Sequence, residues 1–210
     1  MNFDTILLVI NFLAFFLALT VHEFSHALSA YYLGDKTAQH YGRLTLNPLA
    51  HIDLFGTILL PLFLIWSNAG IVFGWAKPVP VNYYNLKDPK WGPAIVSFSG
   101  PLANFIFAVF CIIILNLLNH YANLGPGNLL LTFLFILIMV NMVLMVFNLI
   151  PIPPLDGSKV LFALLPSRYD NIKLFLESNG FIILIAFLIL GSNLLNLLFN
   201  FLFTLINRFI

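Results

Sequence analysis

The sequence predicts an all-α polytopic membrane protein, with about four full transmembrane helices and one re-entrant or broken apolar segment. Two observations carry that prediction. The 210 residues are 61% hydrophobic and only 8% charged, far more apolar than a soluble core requires. Those apolar residues also fall into long runs separated by short polar loops, with no internal repeat and no low-complexity linker. A chain of this length reads as one membrane-embedded domain over residues 1–210, with a core at about 5–165 and an extra C-terminal span at about 180–206. A net charge of +1 gives no sign of a nucleic-acid partner. The single Cys111, read as lying in a lipid-facing stretch, supplies neither a disulfide framework nor a thiolate metal site.

The first apolar segment runs from about Ile6 to Leu33 and stops at Gly34, an ordinary helix terminator. No basic residue precedes it and no small-residue cleavage site follows, so it reads as a retained span rather than a signal peptide. A polar loop, Asp35 to Asp53, holds His40, Arg43, Asn47-Pro48 and His51. The second apolar segment, Leu54 to Phe73, is interrupted by Gly56, Pro61, Asn68 and Gly70. After it, Gly74-Trp75-Ala76-Lys77-Pro78-Val79-Pro80-Val81-Asn82 is kept extended by its prolines, a short extended segment at the membrane surface. The third segment, about Pro93 to Leu118, contains Gly100-Pro101-Leu102-Ala103-Asn104. A fourth, Leu129 to Leu149, runs into Pro151-Ile152-Pro153-Pro154-Leu155-Asp156-Gly157. The polar stretch Ser158 to Asn179 predicts a short amphipathic helix, and Phe181 to about Leu205 predicts the last span, weakened at Gly191-Ser192-Asn193. The 23 phenylalanines suit lipid-facing and core packing; Trp75, Trp91, Tyr83 and Tyr84 suit an interfacial belt.

The chemistry is concentrated in Val21-His22-Glu23-Phe24-Ser25-His26, inside the first span. Residues four apart share one face of a helix, so His22 and His26 can share a metal ion. Glu23 beside them is placed to work on water rather than to bind the metal. Three ionisable groups in an apolar span are costly, and such groups are usually functional. A catalytic zinc site takes a third protein ligand. Asp4 is terminal, and Asp35, Asp53, Asp88, Asp170 and Glu177 lie in polar loops; Asp156 alone joins a membrane boundary to a proline-rich break. By itself Asp156 reads as the cap of the helix after it. Beside the histidine motif it reads as the third ligand.

On these motifs and their order, the chain resembles the site-2 proteases, the zinc-dependent intramembrane metalloproteases of peptidase family M50. The matching residues are His22-Glu23-Phe24-Ser25-His26, Gly100-Pro101-Leu102-Ala103-Asn104, and Asn148 with Pro151 through Gly157, which frame residues 6 to about 165. The resemblance implies one Zn2+ per chain, held by His22, His26 and Asp156, with Glu23 as general base. It implies transmembrane proteins or peptides as substrates, the lipid bilayer as surroundings, and Asn104 near the substrate or transition state. It reads as a short form, expected to lack the PDZ and CBS domains of some relatives, and analogy with such forms points to a prokaryotic cytoplasmic membrane.

For the His22–His26 face and Asp156 to meet, the first and fourth segments must run parallel, which needs an odd number of crossings between them. Leu54 to Phe73 therefore re-enters, which is allowed where protein or a cavity covers it. The zinc side then carries Lys36, Arg43, Lys77, Lys87, Lys90, Lys159, Arg168 and Lys173, against Arg208 opposite, and so faces the cytoplasm.

Asn104 first and Asn148 second are candidate donors to the oxyanion, the alternative for both being hydrogen bonds between helices. Lys77 to Val81 has two readings. One is a rigid loop wedged at the membrane surface. The other is an edge strand whose Lys77, Val79 and Val81 amides face a free edge for an extended substrate. His40, His51 and His120 read as surface or hydrogen-bonding residues, with His51 the candidate auxiliary group near the metal. Two further functional classes compete with a protease: a membrane zinc carrier, in which Glu23 has no clear role, and a catalytically silent scaffold.

Overall fold

The computed structural model describes residues 3–67, 77–122, 124–125 and 127–209. Its helices are α1 (Phe3–Tyr32), α2 (Thr37–His40), α3 (Leu60–Trp66), α4 (Gly92–Tyr121), α5 (Leu129–Asn148), α6 (Asp156–Leu164), α7 (Asp170–Leu190) and α8 (Ser192–Ile206). A π-helical turn, Leu54–Leu59, leads into α3, and no strand occurs among the described residues. Among the described residues, four helices are long and apolar enough to cross a membrane: α1, α4, α5 and the stretch Ser167–Leu190 containing α7. This is the expected all-α polytopic membrane protein.

The centre of the molecule is α1, α4 and α5. Ala14, Ala18, Ala108, Cys111, Leu134, Leu137, Ile138 and Met142 form one buried cluster, joined by Leu202 and Ile206 of α8. Lipid offers no hydrophobic drive for helices to associate, so contact depends on close packing; the alanines on α1 and α4 let the backbones approach. Cys111 is thus a core residue, 2% exposed, and not lipid-facing as its apolar neighbours suggested. Interhelical bonds fix the directions. Val96 meets His26 and Asn104 meets Ala18, so α4 runs antiparallel to α1. Asn104 also meets Asn141, at the same level of α5.

The described part of the second apolar segment is too short to cross. The π-helical turn and α3 are 6 and 7 residues long, short of the about 20 a span needs. The Lys77 N–H donates to the His51 carbonyl at 3.1 Å, so the chain is back on the side where it started. Asn68, Gly70 and Trp75, singled out above, lie outside the described residues.

Past α1, Gly34 adopts φ 110°, the left-handed conformation open to glycine, and the chain turns into a buried node. Asp35 accepts hydrogen bonds from Thr37 N–H (3.0 Å), Thr37 Oγ (2.5 Å), Asn82 N–H (2.7 Å) and Asn85 Nδ2 (3.0 Å). Burial opposes its charge, but these bonds outweigh burial and hold the carboxyl below its usual 3.8. The stability it contributes is therefore complete above about pH 4 and lost as pH falls through the depressed folded value. Asp35→Asn is expected to destabilise by about 2 kcal/mol at pH 7. Melting curves in detergent should show that gap closing toward pH 3; a gap independent of pH would exclude the charge as its source.

At the C-terminal end, the single span expected over 181–205 is two helices. α7 begins eleven residues earlier, at Asp170, and takes in Glu177; the chain then breaks at Gly191 and α8 folds onto α5. The polar stretch after Asp156 contributes the expected short helix, α6. The Phe209 carbonyl accepts from Asn116 Nδ2, which places the C-terminal end near the far end of α4.

Candidate metal centre

His22 and His26 project from one face of α1, their rings at 90° with centroids 4.6 Å apart. Asp156, at the first turn of α6, closes the group. His22 Nε2 and His26 Nε2 lie 3.0 Å apart, and Asp156 Oδ2 is 3.1 Å and 3.3 Å from them. Among the described residues these three are the group of His, Cys, Asp or Glu side chains able to hold a metal ion.

The outward-facing nitrogens decide what the inner ones present. His26 Nδ1 lies 2.7 Å from the Val96 carbonyl, which only accepts, so the proton is on Nδ1. His22 Nδ1 lies 2.6 Å from Asn104 Oδ1. The Asn104 amide is oriented by its other end, where Nδ2 donates to the Ala18 carbonyl (3.0 Å) and to Asn141 Oδ1 (2.8 Å). With Nδ1 carrying the proton, each imidazole in its neutral form turns a lone pair inward. Asp156 Oδ2 is buried with no hydrogen-bond donor. Three electron-pair donors converging at 3.0–3.3 Å repel one another unless a cation lies between them. Tetrahedral zinc at its usual ligand distance of about 2.1 Å sets its ligands about 3.4 Å apart. The donor set fits zinc.

Two glycines make the approach possible. A Cβ on Gly100 would lie 2.5 Å from His26 Nε2 and 2.7 Å from His22 Cε1. α4 therefore passes directly beneath the imidazoles. A Cβ on Gly157 would lie 2.2 Å from the Leu149 carbonyl oxygen, so only glycine lets α6 start against the end of α5 and aim Asp156 at the pair.

The remaining expected site residues divide. Glu23 is at the site, its Oε2 accepting the Val79 N–H at 2.9 Å. Asn104 belongs to the layer behind the site. Both its N–H groups are committed and its side chain is fully buried, so it has no donor left for a substrate oxygen; of its two expected roles, the bond between helices is the observed one. Asn148 donates to the Leu144 carbonyl of its own helix, not to the metal group. His51 is buried rather than on the surface, its Nε2 against the Thr45 carbonyl, and lies outside the group. His40 and His120 are exposed, as expected. The edge of Lys77–Val81 expected to be free is occupied at Lys77 and Val79. Sequence reasoning missed Asn141, fully buried on α5, although a lone amide in Ile-Met-Val-Asn-Met-Val was a visible signal.

Comparison with known proteins agrees with this geometry. The family model "Peptidase family M50" matches residues 10–126 and 126–191. The chain belongs to peptidase family M50. It is 42% identical over 183 residues to "Putative zinc metalloprotease YwhC" of Bacillus subtilis, covering 84% of this chain and 79% of that one. It is 31% identical over 179 residues to "Putative zinc metalloprotease Rip2" of Mycolicibacterium smegmatis, covering 82% of this chain and 64% of that one. A shorter match, 33% identical over 87 residues, links it to "Zinc metalloprotease MJ0392" of Methanocaldococcus jannaschii, covering 41% of this chain and 24% of that one. No solved structure matches. As an M50 member with this donor set, the chain is a zinc metalloprotease of the site-2 protease family, and the protein is integral to a membrane.

Proposed function

We propose that this M50 protease is an intramembrane endopeptidase that cuts in or near the transmembrane segments of other membrane proteins. His22, His26 and Asp156 are its zinc ligands and Glu23 is its general base. The observation that carries the reading is the convergence of two lone-pair nitrogens and an anion at the end of an apolar span, with a second carboxylate adjacent in sequence. Zinc bound there supplies a polarised scissile carbonyl and a water of lowered pKa. Glu23 takes the proton of the attacking water and passes it to the leaving nitrogen. Val96 and Asn104 hold the imidazole rings in the orientation this needs. A cavity of about 700 Å³ lined by Tyr83, Lys90, Lys159, Ser167, Lys173 and Glu177 lies beside α6, and none of His22, Glu23, His26 and Asp156 lines it.

Purified Glu23→Ala, compared with wild type on a panel of single-span substrates, is expected to keep its zinc. Its cleavage should be slower by about 10²–10⁴-fold. Undiminished cleavage by the variant would remove Glu23 as base. If wild type holds zinc and cuts none of the panel, a carrier or a scaffold is favoured instead.

The charge distribution favours a cytoplasmic zinc side, since eight of the nine Lys and Arg lie in its loops, α6 and the first turns of α7, and Arg208 follows α8. Tyr84 is almost fully exposed there. In Tyr84→Cys/Cys111→Ser, an impermeant thiol reagent should label inverted membrane vesicles and spare intact cells; the reverse pattern would invert the topology.

A further inference from the structure

Proline has no N–H, so along Lys77-Pro78-Val79-Pro80 the backbone donors are those of Lys77 and Val79. Both are turned into the protein. Lys77 N–H donates to the His51 carbonyl at 3.1 Å, and Val79 N–H donates to Glu23 Oε2 at 2.9 Å. Just beyond, Asn82 N–H donates to the buried Asp35 carboxylate at 2.7 Å. The segment is thus pinned on both sides of Val79. Its prolines keep it extended and leave its other edge without donors at 78 and 80.

A base that protonates a leaving nitrogen must come within about 3 Å of that nitrogen. Val79 presents to Glu23 what a substrate has to present: a peptide N–H on an extended backbone, at hydrogen-bonding distance from the carboxylate. The two cannot stand there together. We propose that Lys77–Val81 is a pseudosubstrate strap, whose Val79 N–H occupies on Glu23 the place of the scissile amide, and that a substrate enters by exchanging with it. This rests on Glu23 being the general base.

The exchange also selects substrates. A helical span has its N–H groups already bonded within the helix and offers nothing in return for the Val79 bond. A span that unwinds at the site replaces one N–H to carboxylate bond with another. The strap therefore screens for spans that open locally and keeps intact helices out.

The test uses the full-length, zinc-loaded protein in detergent micelles. Because Pro78 and Pro80 have no amide, Val79 is flanked by non-exchanging residues and its exchange is followed separately from that of Lys77 and Val81. The Val79 amide should be protected in wild type and exchange at least about tenfold faster in Glu23→Ala at equal zinc content. Equal rates would overturn the strap. The complementary variant, Val79→Pro, removes the N–H and keeps an extended backbone. It should hold zinc as wild type does and cut the single-span panel several-fold faster; unchanged or slower cleavage with zinc retained would also overturn it. If Val79→Pro fails to hold zinc, the exchange comparison decides alone. A wild type that cuts nothing while holding zinc would strike the protease reading instead, a result distinct from equal exchange rates.

Discussion

Gly100→Ala is expected to lower zinc affinity by at least about 100-fold. The added methyl would sit 2.5 Å from His26 Nε2, 2.6 Å from His26 Cε1 and 2.7 Å from His22 Cε1, inside contact distance of both imidazoles. Neither ring can retreat cheaply. His26 is tied by Nδ1 to Val96, one turn before Gly100 on the same helix, and His22 is tied to Asn104 one turn beyond it. Relief requires breaking one of those bonds or pushing α4 off α1, and either moves an Nε2 out of a group whose members are 3.0–3.3 Å apart. Chelator competition on the purified protein measures the affinity. Zinc binding equal to wild type would show that α4 does not form the floor of the site.

Asn104→Ala is the second large effect, and it reaches two properties at once. It leaves the His22 Nδ1–H and the Asn141 amide oxygen without partners in a fully buried place and removes the second bond to the Ala18 carbonyl. The expected loss of stability is about 2–5 kcal/mol. Zinc affinity should fall by about 10–100-fold as the His22 ring loses the acceptor that orients it. Asn104→Asp keeps an acceptor for His22 and loses both donors. It should retain more zinc affinity than the alanine variant even where its melting temperature is no better. Equal zinc affinity in the aspartate and alanine variants would leave Asn104 with a structural role alone.

His22, His26 and Glu23 were legible because four residues of helix are enough to place them on one face, whatever the rest of the chain does. The spans were legible for a similar reason: backbone in lipid must satisfy its own hydrogen bonds, so an apolar run of sufficient length has few alternatives to a helix. The re-entrant second segment followed from parity and from glycine, proline and asparagine inside it. Asp156 could be singled out by elimination, but its pairing with residues more than a hundred positions away could not be read from spacing.

Other features were settled by contacts between distant residues. Asn104 reads the same in sequence whether its amide faces a substrate or a neighbouring helix; the acceptors on α1 and α5 take up both its donors. The last span was misplaced because hydropathy favoured 181–205, whereas Asp170 to Glu177 can begin a helix whose charged first turns stay outside the apolar layer. The Lys77–Val81 amides looked free because alternation tells which edge they share and not what that edge meets. Residue pattern along one helix or one apolar run determines the zinc-binding face and the spans, since those depend on neighbours within a few turns. Ring orientation, the glycine floor and the strap on Glu23 join residues 56 to 82 positions apart, and only the packing of α1, α4 and α5 decides them.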